Sequence, residues 1–212
     1  NHFDTNAGLA KENDVCTIIY TSGTTGEPKG VVLTHKNIVS NVKGAHEVFD
    51  ISKEDTFLSF LPLCHIFERM SGHYFAISSG AQIAYAEGIE KIAQNMVEIK
   101  PTVMTAVPRL FERMYSRIKR NVETMPAKRQ KIFNWGIDVG REYVAAKNSA
   151  QSIPISLTLK HKLADKLVFS KLKEKTGGSL RFFISGGAAL QRELGEFFAS
   201  VGIIVIEGYG LT

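Results

Sequence analysis

The segment Tyr20-Thr21-Ser22-Gly23-Thr24-Thr25-Gly26-Glu27-Pro28-Lys29-Gly30 gathers four hydroxyls, three glycines and a lysine in one short stretch. Glycines let a backbone take positive φ and come close to a ligand. Backbone N–H groups and the hydroxyls of Thr21, Ser22, Thr24 and Thr25 would then surround phosphate oxygens, with Lys29 adding positive charge. The P-loop of nucleotide triphosphatases is the obvious rival, but it needs Gly, four residues, then Gly-Lys-Ser/Thr. That spacing fails at each glycine here, and Lys29 is followed by Gly30 and Val31, with no hydroxyl to hold magnesium there. Three further places hold chemistry-bearing residues: His65 just after Pro62, the small-residue turn Ser185-Gly186-Gly187-Ala188, and Glu207-Gly208-Tyr209-Gly210-Leu211-Thr212. Taken singly, a histidine at a helix start reads as a structural hydrogen-bonding group, and a Gly-Gly after a strand as a plain turn.

These groups must be carried by a scaffold, and the chain alternates strand and helix patterns. Val15–Tyr20, Phe57–Leu61, Ala81–Tyr85, Thr102–Ala106, Arg181–Ile184 and Ile203–Ile206 are short apolar runs read as strands. The first is read as a buried strand of a parallel sheet, which would place the glycine-rich loop at that sheet's carboxyl end. Helical patterns start near Lys36, run through Phe75, and cover Ile89–Ile99 and Leu190–Ser200. From Pro108 to Thr176 the character changes to three helical regions: Phe111, Tyr115, Ile118 and Val122 mark the first, Phe133 to Val144 the second, and Leu159, Leu163 and Leu167 the third. Pro108 suits a first helical turn, and Gly177-Gly178 a helix stop. The expected fold is α/β: a largely parallel sheet covered by helices on both faces, with a helical insertion at about 108–176.

The whole pattern resembles the acyl-adenylate-forming superfamily, which includes acyl-CoA synthetases, peptide-synthetase adenylation domains and firefly luciferase. Thr21-Ser22-Gly23-Thr24-Thr25-Gly26-Glu27-Pro28-Lys29-Gly30 is similar to its first signature. Leu61-Pro62-Leu63-Cys64-His65-Ile66-Phe67-Glu68-Arg69 and Glu207 to Thr212 resemble its second and third, in the right order, with Ser185 to Leu190 matching the turn between them. Val107-Pro108-Arg109-Leu110-Phe111-Glu112-Arg113-Met114 and the long insertion after it resemble the long-chain fatty acid–CoA ligases. The resemblance spans essentially the whole chain and implies part of the large N-terminal, AMP-binding domain.

It also implies the chemistry: a carboxylate attacks the α-phosphate of ATP to give acyl-AMP and pyrophosphate, and coenzyme A then displaces AMP. By resemblance, Ser22 through Lys29 hold the β- and γ-phosphates, with magnesium near Thr21. His65 lies beside the reacting carboxylate, as the catalytic-site histidine. Gly186, Gly187 and Ala188, with Glu207, Gly208 and Tyr209, form the adenine and acyl-AMP site, Tyr209 stacking on the base and Thr212 reaching the AMP phosphate. Gly72, Ser78, Ser79 and Gly80 either leave room for an acyl tunnel behind His65 or serve helix packing and a turn. The magnesium-binding glutamate that follows Thr212 in the family, and the catalytic lysine of a C-terminal domain, fall beyond the last residue. These 212 residues alone are therefore expected to be inactive. Adenylation of another acid, or a non-catalytic nucleotide- or lipid-binding relative, are the alternatives.

Composition agrees with a folded globular chain: 44% hydrophobic and 22% charged. No apolar run approaches the length of a transmembrane helix. Cys16 and Cys64 have neither pair nor metal-ligand spacing and read as buried thiols of a reducing, cytoplasmic setting. The net charge of +5 favours anionic partners without selecting one, and no motif supports nucleic acid. Arg109, Arg113, Arg117, Lys119 and Arg120, with the lysines of 160–175, suggest either solvated helix faces or peripheral contact with the inner face of a membrane. Unpaired sheet edges suggest self-association.

Overall fold

The computed structural model describes residues 8–21, 26–149 and 152–212. A five-stranded parallel sheet runs in the order β4-β3-β5-β6-β7, built from β3 (Thr56–Ser59), β4 (Gln82–Tyr85), β5 (Val103–Ala106), β6 (Phe182–Ser185) and β7 (Val205–Glu207). From β3 the chain moves outward to β4, then returns to the other side of β3 for β5, β6 and β7. The order therefore reverses between β3 and β5. In open parallel sheets, the crevice beyond the carboxyl ends at such a reversal is where ligands bind.

Both faces of this sheet are covered, as expected. On one, Phe57, Val103, Phe182 and Ile184 pack with Ile51, Phe75 and Ala76, beneath α1 (His35–Val48), a π-helical turn (Glu68–Tyr74) and α2 (Phe75–Ser78). On the other, Leu58, Met104 and Phe183 meet α3 (Ile92–Ile99) and the helices that lie between β5 and β6. These are α4 (Pro108–Glu123), α5 (Ala127–Asn148), and α6 (Ile155–Ala164), which continues through a π-helical turn (Asp165–Phe169) into α7 (Ser170–Glu174). The last helix, α8 (Arg192–Ser200), inserts Leu194, Phe197 and Phe198 into the same core. Gly140 of α5 lets α8 come close: a Cβ there would overlap the Ser200 carbonyl and stand 3.1 Å from Phe169 Cζ. The chain leaves α7 through Gly177 and Gly178, both at positive φ, and the Gly178 N–H donates to the Lys173 carbonyl at 3.0 Å.

The amino edge of the sheet is pinned by a buried carboxylate. Asp55, 3% exposed, accepts two bonds from Arg181 Nη1, at 2.7 and 2.8 Å, and one from Thr102 Oγ1 at 2.7 Å. Burial pushes its carboxyl up, but these bonds, one from the Ser52 N–H and the Arg181 charge together hold it below its ordinary value.

The first strand departs from expectation. β1 (Val15–Thr21) does not join the parallel sheet but pairs antiparallel with β2 (Lys29–Thr34) in a separate two-stranded hairpin, with only Ile19 of β1 buried. The reason lies in the connection: seven residues separate Thr21 from Lys29, and a parallel return needs a crossover of about a dozen or more. The glycine-rich loop is thus a hairpin loop. The thiols are corrected with it, Cys16 being half-buried on this strand and Cys64 exposed on the loop before the π-turn. Leu159, Leu163 and Leu167 lie in the expected third helical region and are exposed, while Leu157, Ala164 and Val168 face inward.

Candidate functional site

A cleft of about 890 Å³ opens at the reversal point. Its walls come from the hairpin (Ile19, Tyr20, Thr21), from α1 (Asn37, Ile38, Asn41), from Leu61, Pro62, His65 to Glu68, Met70 and Ser71, and from Gly187 and Ile206 to Thr212. Val107, at the carboxyl end of β5, closes it from the sheet.

Each wall is fixed locally. The hairpin is tied to α1 by a reciprocal cap, in which the Asn37 N–H donates to Thr34 Oγ1 and the Thr34 N–H to Asn37 Oδ1. Pro62 ends the chain's run out of β3, and the His65 N–H donates back to the Pro62 carbonyl at 3.0 Å. The backbone then enters the π-turn, leaving the His65 side chain exposed at the rim. Gly187 turns at φ +80°, a conformation that side-chain-bearing residues rarely adopt. The Gly208 N–H donates to the Ser185 carbonyl at 2.7 Å, so 208–212 run on past the sheet and along the cleft. Glu207 Oε2 accepts from the Leu190 N–H at 3.0 Å, which joins the two glycine turns.

Of the expected site residues, Thr21, His65, Gly187, Glu207, Gly208, Tyr209 and Thr212 all line this cleft. Tyr209 is 98% exposed, its ring face available for stacking. Ser22, Gly23, Thr24 and Thr25 lie outside the described residues. Gly26, at φ +89° in open space, and Lys29, exposed opposite Thr21 in the hairpin, stand by that loop and not on the cleft wall. Ala188 is exposed beside Gly187 but does not line the cleft. Gly186 serves packing: it is buried, and the space a Cβ would need is filled by the Phe67 ring. The acyl-tunnel reading of small residues behind His65 is likewise corrected. Gly72 makes room for the Glu68 carboxyl, Ser78 and Ser79 cap α2 through the Phe75 carbonyl, and Gly80 closes the turn that follows.

The apolar volume lies elsewhere, in a wall formed by Ile19, Leu33, Ile38, Phe49, Ile66, Met70 and Phe75 between hairpin, α1 and π-turn. No lysine or arginine lines the cleft among the described residues. Such a cleft receives a chain of methylenes better than a polar acid.

Three residues that motif reading left without a role hold the His65 segment in place. Phe67 packs on Gly186, and Glu68 Oε1 accepts from Ser59 Oγ at 2.5 Å. Arg69 donates from Nε to the Leu63 carbonyl at 2.8 Å and from Nη1 to Thr17 Oγ1 at 2.6 Å. Glu68 and Arg69 stood out as polar residues in an apolar run, but their partners lie up to 52 positions away, and that of Phe67 lies further still.

The family model described as "AMP-binding enzyme" matches residues 4–212. The chain is 38% identical over 204 residues to the peroxisomal long chain acyl-CoA synthetase 6 of Arabidopsis thaliana, covering 95% of this chain and 28% of that protein. It is 37% identical over 213 residues to the putative fatty-acid–CoA ligase fadD11 of Mycobacterium tuberculosis, covering 99% of this chain and 37% of that one. The chain thus spans well under half the length of these relatives. Among solved structures, the inhibitor-bound N-terminal domain of FACL13 from Mycobacterium tuberculosis superposes with a TM-score of 0.62 at 23% identity, over 96% of this chain and 38% of that one, and so shares its fold.

Proposed function

Since the chain belongs to the AMP-binding enzyme family, we propose that the protein carrying it is a long-chain fatty acid–CoA ligase, and that this chain is part of its large N-terminal domain. The fatty carboxylate oxygen bonds to the α-phosphorus of ATP as the bond to the β-phosphate oxygen breaks, releasing pyrophosphate. The sulfur of coenzyme A then bonds to the acyl carbon, AMP leaves, and the thiol proton passes to solvent.

One observation carries this reading. The end of the glycine-rich hairpin (Thr21), His65 and the 207–212 segment face a single cleft that also carries a broad apolar wall. In the proposed complex the triphosphate lies along the hairpin loop, at Ser22 to Gly26 and Lys29, and the adenine lies between Gly187-Ala188 and Tyr209. Thr212 meets the AMP phosphate, and His65 flanks the carboxylate at the mouth of the apolar pocket. The protein's work there is positioning two anions and drawing charge toward the leaving group. Magnesium takes oxygen ligands, and the Thr21 hydroxyl on the cleft wall fits that preference beside phosphate oxygens.

The test is fatty-acid-dependent exchange of pyrophosphate into ATP by the full-length protein. Exchange rising with long-chain acids supports the reading. Exchange only with short, aromatic or amino acids keeps adenylation and discards the substrate, and none with any acid leaves a nucleotide-binding relative. These 212 residues by themselves are expected to form no acyl-CoA.

Peripheral contact with the cytoplasmic face of a membrane belongs to the same reading. No helix among the described residues is long and apolar enough to cross a bilayer. Ile155, Leu159 and Leu163 are nonetheless exposed on α6, beside Lys160, Lys162 and Lys166. Salt-sensitive sedimentation with anionic liposomes supports it; sedimentation independent of lipid charge and salt overturns it. The edges of β4 and β7 are the surfaces proposed for self-association, which light scattering of a strict monomer would exclude.

A further inference from the structure

Glu68 is a carboxylic acid with 1% exposure, in the wall of the cleft, at the first residue of a π-turn. One oxygen accepts the Ser59 hydroxyl at 2.5 Å; the other, Oε2, has no hydrogen-bond partner among the described residues. The slot it occupies is shaped for it, since any Cβ at Gly72, one turn on, would collide with the carboxyl. Beneath lies polar sheet: Phe57 pairs with Val103, so Ser59 and Thr105 stand side by side on one face of β3 and β5, and Thr105 Oγ1 is also buried without a partner. Short π-helical turns inside helices recur at functional sites, where the extra residue re-aims a side chain.

Among the described residues no cation compensates a negative charge there. The π-turn carries Arg69, His73 and Tyr74, but Arg69 is spent on Leu63 and Thr17, and His73 Nδ1 lies 3.1 Å from the Tyr85 hydroxyl. From α1, His46 is bonded to Ser78 at 2.9 Å, and the helix also carries His35, Lys36, Lys43 and Glu47. β3, β5 and α2 contribute no titratable side chain, and His65 points to the rim. Burial therefore governs the group and pushes its pKa up to about 7, against the opposing Ser59 bond.

We propose that Glu68, as the neutral acid, is the positioning residue that clamps the π-turn to the carboxyl end of β3 and thereby sets His65 and the floor of the cleft. Its ionisation would place an uncompensated charge in that slot and loosen the turn. The inference rests on the adenylating reading above only for its consequence in turnover.

The experiment uses the full-length protein and the variants Glu68→Gln and Glu68→Ala, assayed by fatty-acid-dependent pyrophosphate exchange from about pH 6 to pH 9. In parallel, hydrogen exchange of amides 69–74 is followed, corrected for intrinsic pH dependence. The wild type is expected to lose exchange activity as pH rises past about 7, with KM for the acid rising more than KM for ATP. Glu68→Gln, which fills the slot but cannot ionise, is expected to lower kcat severalfold yet lose that alkaline limb, while Glu68→Ala falls by about tenfold or more at every pH. Protection of 69–74 should fall with pH in the wild type and stay level in Glu68→Gln. An alkaline limb that persists in Glu68→Gln, or protection that changes equally in both, overturns the proposal. Absence of activity in the wild type would sink the ligase reading instead, and hydrogen exchange would then decide the role of Glu68 alone.

Discussion

Replacing Arg69 by methionine should detach the hairpin from the cleft without unfolding the sheet. Arg69 gives two bonds from a charged donor, to the Leu63 carbonyl at 2.8 Å and Thr17 Oγ1 at 2.6 Å. Charged hydrogen bonds contribute about 1.5–3 kcal/mol each, and this side chain is half-buried, so the low end applies. Methionine keeps the aliphatic stem, so the expected total loss is about 2–3 kcal/mol. The Thr17 share should appear as local opening, because a two-stranded hairpin is marginal by itself. Its other ties are the Thr34–Asn37 cap, the His35 N–H to Asp14 carbonyl bond at 3.2 Å and the buried Ile19. In hydrogen exchange, the paired amides of 18–21 should exchange about tenfold faster, equivalent to roughly 1–2 kcal/mol, while those of β5 and β6 keep their rates. Thr17→Val removes the same bond from the other end, and the double variant should be little worse than Arg69→Met alone. Uniform acceleration across hairpin and sheet, or additive effects of the two substitutions, would refute the reasoning.

Gly140→Ala should destabilise the fold by about 2–4 kcal/mol in urea unfolding, because the added methyl meets the Ser200 carbonyl where α5 and α8 cross, and overpacking outweighs helix propensity. Gly44→Ala, with nothing within 4 Å on exposed α1, should instead stabilise by roughly 0.5–1 kcal/mol, and equal signs for the two would contradict the packing argument. Arg181→Met should cost about 2–4 kcal/mol near neutral pH by stranding the buried Asp55 carboxylate. Asp55 is held below its ordinary 3.8, so its contribution is present above that value and fades as pH falls through the lowered one. The gap between wild type and Arg181→Met should therefore close in acid, and a gap independent of pH would mean that the ion pair is not its source.

The parallel sheet was legible because its strands are short apolar runs broken by Pro62, Pro101 and Gly177-Gly178. Their burial on two faces leaves no alternation to confuse them with surface strands. Val15–Tyr20 carries the same composition and was misplaced, since periodicity does not report a strand's partner; the short link to Lys29 was the signal that outweighed it. At the site, the expected residues that line the cleft were legible because their positions are local: Thr21 ends β1, and His65, Gly187, Tyr209 and Thr212 each follow a strand end by a few residues. Glu68 and Arg69 were not, because their meaning depends on Ser59 and Thr17, which no spacing rule links to them. The Leu159 and Leu163 repeat reported its helix correctly, but from the face turned to solvent, because a second apolar face through Leu157 and Ala164 takes the core.

The misses at the site share one cause. The cleft proposed for a polyphosphate and a fatty carboxylate is built from two separate sheets. The glycine-rich loop rides on the hairpin, the 207–212 segment follows β7 of the parallel sheet, and the apolar pocket lies between hairpin, α1 and π-turn. The His65 segment bridges the two through adjacent residues, Glu68 reaching down to β3 and Arg69 across to β1. In an ordinary α-helix, successive side chains diverge by about 100°, and only one of two neighbours points at a given wall. A π-turn begins at Glu68, and it is where the chain directs one residue to each sheet. Adjacent side chains that diverge in this way reach both sheets, so removing either contact should misalign the two halves of the site while leaving each half folded.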